Sequence, residues 1–222
     1  YGVGRDWPLR YEDLEPYYCD AEDMMTIGAD SDDTPYPRSR PYPAPPHRMS
    51  HPDKVLKKAL PNGIFSFPAA RTYTPVPDQR PACCNNSVCR LCPVDAKFTI
   101  LNGMKGLHER SGVELQLGAA VQRVLHEQGV AKGVEYARDG DTHTVQADLV
   151  VLAANAMFNP FILLNSDLDG PEVGRGLCEQ CTRSAFLRLD GLGNFQGSTI
   201  SNALGYTCYT GERRRDRAGA LV

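Results

Sequence analysis

Four cysteines, Cys83, Cys84, Cys89 and Cys92, fall within ten residues of a 222-residue chain that carries eight in all. Thiolates gathered on a short loop are the usual ligands of iron–sulfur clusters. In that setting C-x2-C spacing aims two sulfurs at one site, and a following proline keeps the chain from folding over it. Cys89-x2-Cys92-Pro93 has this form, with Cys84 as a third ligand and Cys83 as its alternative. The same residues admit two other readings. Small thiols pack well without any metal, and a zinc ion would use all four sulfurs, although adjacent Cys83 and Cys84 point in divergent directions. Cys178-x2-Cys181 repeats the spacing with nothing near it to complete a ligand set. Clustering favours ligation or local redox chemistry over long-range stapling, so the compartment stays open between cytoplasm and periplasm.

The elements that must position this loop come from periodicity and punctuation. Leu14, Tyr17, Tyr18, Ala21, Met24 and Met25 recur at helical spacing, which predicts a helix with a core-facing stripe. Pro16 suits its first turn, and Gly28 suits its end. Six prolines between Pro35 and Pro46 forbid helix or central strand. Tyr36 and Tyr42 would anchor this stretch as a strap across a domain surface, the alternative being a free linker. A short helix is expected over Asp53–Leu60 with Val55, Leu56, Ala59 and Leu60 buried. A strand follows over Ile64–Phe67, with Pro68, Pro75 and Pro77 in edge or loop positions. After the cysteines a helix opens at Ala96 and ends near Gly112.

From Val113 the period changes to two. Val113–Leu117, Ala120–Leu125, Val130–Tyr136 and Thr142–Ala147 alternate apolar and polar residues. Gln128-Gly129 and Asp139-Gly140 sit where hairpin turns are needed, predicting an antiparallel meander. Leu149–Ala154 is continuously apolar, as in a parallel strand buried on both faces. Ala156–Ser166 reads as a helix with Phe158, Phe161, Ile162, Leu163 and Leu164 inward. Together these segments form a nucleotide-binding plan.

Composition narrows the function classes. Lys and Arg number 24 against 27 Asp and Glu, a net charge of −3 with the signs interspersed. That argues against a nucleic-acid partner held through phosphates. No apolar run approaches the roughly 18–20 residues of a membrane helix, so no membrane span is expected. The chain has neither a start methionine nor a signal peptide at Tyr1, and an internal fragment of a longer protein is expected.

Four blocks in order resemble the glucose-methanol-choline (GMC) family of FAD-dependent oxidoreductases. They are Arg5-Asp6-Trp7-Pro8 through Tyr17-Tyr18, Cys89 through Lys97, Ala120-Val121-Gln122-Arg123-Val124, and Leu149–Ala154 with Val173-Gly174-Arg175-Gly176-Leu177 downstream. The resemblance implies an α/β fold: a partial FAD-binding, Rossmann-like domain with an antiparallel β-meander, plus the start of an α+β substrate domain. It divides the chain into a helix and Pro-rich strap (1–50), the cysteine loop and connecting helices (51–112), the meander with its last parallel strand and helix (113–166), and the beginning of the substrate domain (167–222).

The cofactor implied is FAD. Its adenine edge would be read by the Val121 backbone, and the chain would turn past the dinucleotide at Ala153, Ala154 and Asn155. Asn155 stands where relatives have Gly, and Asn is the next most tolerant of positive φ. Asn159-Pro160 stands where relatives have Ser/Thr-Pro. Members of the family that oxidise sugars and polyols carry a three-iron cluster in a comparable cysteine run. The family's glycine-rich pyrophosphate loop and its catalytic His are outside these residues, so no catalytic residue is assigned here. None of His47, His51, His108, His126 or His143 is taken as a base, and the chain alone is expected to be inactive and to bind FAD weakly or not at all.

The activity implied is oxidation of an alcohol group of a sugar, polyol or other alcohol by hydride transfer to flavin. Electrons would pass to a cytochrome subunit, a quinone or dioxygen, the cysteine loop favouring a dehydrogenase. Two alternatives are a flavoprotein of another class that shares the meander, such as a monooxygenase or disulfide reductase, and a non-enzymatic metal-binding module centred on the cysteines.

Overall fold

The computed structural model describes residues 6–85, 91–104, 106–183, 185, 190–191, 203–209, 216, 219 and 221, so Arg5 and Cys89 lie outside the described residues. The chain forms two compact units, 1–110 with 186–222, and 111–185. No helix among the described residues is long and apolar enough to cross a membrane.

In the first unit, α1 spans Tyr11–Met25. It begins where the Asp13 carboxylate accepts the Arg10 N–H (2.9 Å). Pro16 is therefore the sixth helical residue rather than a first-turn residue, and its missing N–H leaves the Glu12 carbonyl without an intrahelical donor. The helix stops at Thr26, which is left-handed (φ 50°), two residues before the expected Gly28. The buried face also differs from expectation. Tyr17, Tyr18 and Met24 are exposed, whereas Glu15 and Cys19 are buried.

The physical reason is what lies on the helix: the proline-rich segment is a strap rather than a free linker, and it brings donors, not hydrocarbon. Ser39 donates its N–H (2.9 Å) and hydroxyl (2.8 Å) to the Glu15 carboxylate, which also accepts from the Cys19 thiol (3.0 Å). Arg38 forks onto Glu22 at 3.1 and 2.6 Å with its guanidinium 3.5 Å above the Tyr42 ring, and Arg40 pairs with Asp20 and Asp23. These bonds, from Cys19 first and then Ser39, lower the Glu15 carboxyl from 4.5 to about 2. Tyr42 joins Ile27 and Ala29 in a small apolar cluster, and Gly28 makes bridges to both Ala44 and Ala69.

Helix α2, His51–Ala59, is started by reciprocal bonds between Ser50 and Asp53 (2.9 and 3.3 Å). Val55, Leu56 and Leu60, expected in the core, are exposed, and Asp53 is the buried residue. Strand β1 (Ile64–Ser66) forms as expected and pairs antiparallel with a returning strand, Ala203–Gly205. The helix expected over Ala96–Gly112 is reduced to α3, Ile100–Gly103, and a 3-10 turn at Leu107–Glu109. Asn102 explains the loss. Its side chain donates to the carbonyls of Asp95 (3.0 Å) and Lys97 (2.7 Å), and its Oδ1 accepts the Thr99 N–H (2.8 Å), holding residues 95–99 out of helical geometry.

In the second unit, β2 (Ala120–Glu127), β3 (Val130–Arg138) and β4 (Asp141–Gln146) form the expected meander in the order β2-β3-β4. Both turns have positive φ at their two central residues, Gln128 and Gly129 (48° and 78°) and Asp139 and Gly140 (55° and 92°). This matches the right-handed twist of the flanking strands. Val121 pairs with Tyr136 and Arg123 with Glu135, leaving Gln122 as a bulge on the edge strand.

Two expected strands are absent. Val113–Leu117 makes no ladder, and its Val113, Leu115 and Leu117 are exposed. Leu149–Ala154 likewise has no strand partner among the described residues, with Leu149 78% and Val151 77% exposed. A parallel strand exists only through its neighbours' hydrogen bonds, and among the described residues no strand lies beside this one. Helix α4, Asn155–Leu164, follows and packs on β2. Of its expected inward residues only Ile162 is buried, and Phe158, Phe161 and Leu164 are exposed.

Candidate functional site

The outer edge of β2 and the first and last turns of α4 enclose a groove of about 700 Å³. It is lined by Val121, Gln122 and Arg123 on one side and Ala154, Phe158 and Asn165 on the other. Val121 and Ala154, chosen from sequence as cofactor contacts, thus share one cavity. Asn155 sits at the turn beside it with φ 70°, the conformation its tolerance of positive φ allows. Its Oδ1 accepts the N–H groups of Met157 (2.9 Å) and Phe158 (3.2 Å), which satisfies donors the helix start leaves open. Ala153 is not among the residues lining the groove.

Asn159 is a residue whose role the sequence reading missed. Its Nδ2 donates to the Leu152 carbonyl (3.1 Å) and its Oδ1 accepts the Ala154 N–H (2.7 Å), so one side-chain amide clamps the approach to the turn as a strand partner would. An Asn four residues after a left-handed Asn at a helix start is the local signal that pointed to it.

The groove suits the adenosine end of FAD. It is a cleft of ligand size with mostly apolar walls, bounded by an edge strand whose main-chain groups are not all used in the sheet. A bulge at Gln122 turns that edge locally, as bulges beside binding sites commonly do.

The cysteine loop belongs to the first unit. Its entry is fixed by Cys83 donating its N–H to the Thr72 carbonyl (2.9 Å) and its exit by Phe98 donating to Ala70 (2.8 Å). Cys83 and Cys84 are free thiols, the first half-buried and the second exposed. The Cys92 sulfur accepts the Ala96 N–H at 3.3 Å. Burial pushes the Cys92 thiol up, but the main-chain amides of Ala96, Val94, Lys97 and Asp95 outweigh it and hold the group below its ordinary value. Among the described residues no three His, Cys, Asp or Glu gather as a metal site. Cys178 and Cys181 are exposed free thiols.

The histidines are engaged in structure or lie at the surface. His47 Nε2 meets the Arg71 carbonyl (3.1 Å), and burial, then the Arg71 charge, lowers its pKa. His126 Nε2 meets the Ser166 carbonyl (2.8 Å) and His143 stacks on Tyr136, while His51 and His108 are exposed.

The profile of the GMC oxidoreductase family matches residues 47–182. The chain is 32% identical over 174 residues to the fructose dehydrogenase large subunit of Gluconobacter japonicus, covering 74% of this chain and 31% of that protein. It is 30% identical over 196 residues to the 6'''-hydroxyparomomycin C oxidase of Streptomyces lividus, covering 80% and 36%. It is 40% identical over 79 residues to the C-glycoside 3-oxidase of Arthrobacter globiformis, covering 35% and 15%. The chain therefore spans little more than a third, at most, of the length of these relatives. With more than half of its residues inside the family profile and its groove built by the segments that carry the likeness, the chain belongs to the GMC oxidoreductase family.

Proposed function

We propose that this chain carries the meander portion of a Rossmann-like FAD-binding domain and the start of a substrate domain, in an enzyme that oxidises an alcohol carbon of a sugar, polyol or other alcohol. The observation that carries the reading is the β2–α4 groove, in which Val121 and Ala154 face one cavity beside the left-handed turn at Asn155. When bound, the flavin supplies the hydride acceptor. The residues of this chain bind and orient it: the β2 edge offers main-chain groups to the adenine, Phe158 and Phe161 give apolar walls, and Asn159 holds the 152–154 backbone close. The relatives, a fructose dehydrogenase, a hydroxyparomomycin C oxidase and a C-glycoside 3-oxidase, support a carbohydrate-like substrate. Membership of the family sets aside an unrelated flavoprotein and a purely metal-binding module.

Titrating the isotope-labelled full-length apoprotein with FAD, ADP and FMN tests the reading. FAD and ADP are expected to shift the amides of Val121, Arg123 and Ala154 saturably, FMN is not, and Ala154→Trp, which fills the groove, is expected to abolish the response. Absence of any response to FAD and ADP in the unaltered full-length apoprotein would overturn it.

The cysteine loop supports a second proposal, an iron–sulfur cluster held by Cys84, Cys89 and Cys92 with Cys83 as alternative, passing electrons from flavin to a cytochrome subunit or quinone. The main-chain amide on the Cys92 sulfur favours a thiolate there, and the relative named a large subunit is consistent with a partner subunit. Iron and acid-labile sulfide, assayed in the full-length protein and its Cys92→Ser variant, decide it. A visible spectrum of flavin alone, with no sulfide, removes the cluster.

A further inference from the structure

Behind the groove, next in sequence to its lining residue Asn165, Ser166 lies just beyond α4 and is 1% exposed. Its Oγ accepts the Val124 N–H at 2.8 Å and donates to the Ile162 carbonyl at 2.5 Å. Its own carbonyl meets His126 Nε2 at 2.8 Å, and since a carbonyl only accepts, His126 carries its proton on that nitrogen. Val124 and His126 are alternate residues of β2, so both bonds leave the same strand, and they reach one residue 42 and 40 positions away. An edge strand ordinarily turns such an N–H to water or to another strand. Here Val124 is itself buried, so its N–H has no water to fall back on. Arg123, next to Val124, and Ile162 and Asn165, next to Ser166 in space or sequence, line the groove on opposite sides. The separation of its walls is thus fixed where Ser166 joins them.

We infer that Ser166, assisted by His126, is a positioning residue for the nucleotide: a clasp that holds β2 and α4 at the spacing an ADP moiety requires. This rests on the reading of the groove as the flavin's adenosine end. Removing the hydroxyl leaves the buried Val124 N–H unpaired, and the strand relieves that only by moving away from the helix.

ADP binding to the isotope-labelled full-length apoprotein, followed on folded-state amides, is the test, because a loss of stability alone does not change the dissociation constant of the folded fraction. Ser166→Ala is expected to raise that constant about tenfold, the scale of one lost buried hydrogen bond. Ser166→Thr, which keeps the hydroxyl, restores it. His126→Phe weakens binding, and His126→Gln, which keeps an N–H donor, recovers it. The His126 pair decides the matter if Ser166→Ala does not fold. A groove that binds ADP, loses it in Ala154→Trp and keeps it unchanged in Ser166→Ala, or in both His126 variants, overturns the clasp alone. A groove in the unaltered full-length apoprotein that ignores ADP removes the cofactor reading and the clasp together.

Discussion

Replacing Asn155 tests how the chain turns into α4. The residue does two separable things: it occupies φ 70°, and its Oδ1 accepts two N–H groups at 2.9 and 3.2 Å. Alanine loses both. The left-handed conformation costs an ordinary L-residue about 1 kcal/mol or more, and loss of an N-terminal cap costs about 1 kcal/mol, so Asn155→Ala is expected to destabilise by about 2 kcal/mol. Glycine keeps the turn without strain and loses only the cap, so Asn155→Gly should cost about 1 kcal/mol. For a chain of this size each kcal/mol moves the thermal midpoint by about 2–4 °C, which predicts a drop of about 4–8 °C for alanine and half that for glycine. Urea melts of the three proteins measure the free energies, and hydrogen exchange at the Met157 and Phe158 amides reports the cap directly. If glycine proved as damaging as alanine, the backbone part of the reasoning would be wrong. If neither variant exposed the Met157 and Phe158 amides, the cap would be wrong as well.

Gly133 on β3 has no room for a side chain, since a Cβ there would lie 2.0 Å from the Val145 carbonyl oxygen. Gly133→Ala is expected to cost about 1–3 kcal/mol and to loosen β3–β4 pairing, seen as faster exchange of β4 amides. The Glu15 carboxyl titrates near 2 when folded, below its ordinary 4.5, so its contribution to strap attachment is complete above about 4.5 and fades as pH falls toward 2. Glu15→Gln should flatten that acid limb in a pH series of melts, and an unchanged limb would show that Glu15 is not its source. Ser50, fully buried, caps α2, and Ser50→Ala is expected to lower stability by about 1 kcal/mol, with Ser50→Thr close to the original.

What the chain order determines by itself is what depends on near neighbours. The meander follows from alternation and from two dipeptides that accept positive φ, and the left-handed turn at Asn155 is allowed by a side chain that tolerates positive φ well. The helix of residues 11–25 is legible as a helix for the same reason, because its backbone bonds close within four residues.

Tertiary structure decides whatever depends on the partner brought alongside. The face of α1 that is buried carries Glu15 and Cys19 because Ser39 arrives from 24 positions away, and hydrophobic periodicity registers no such donor. The apolar run Leu149–Ala154 reads as a buried strand, yet a strand needs a neighbour's N–H and C=O groups, and among the described residues the Asn159 side chain bonds to its Leu152 and Ala154 backbone instead. Ser166 likewise accepts the Val124 N–H across 42 positions of chain, a contact between a strand and the end of a helix that lowers the free energy only once both are folded.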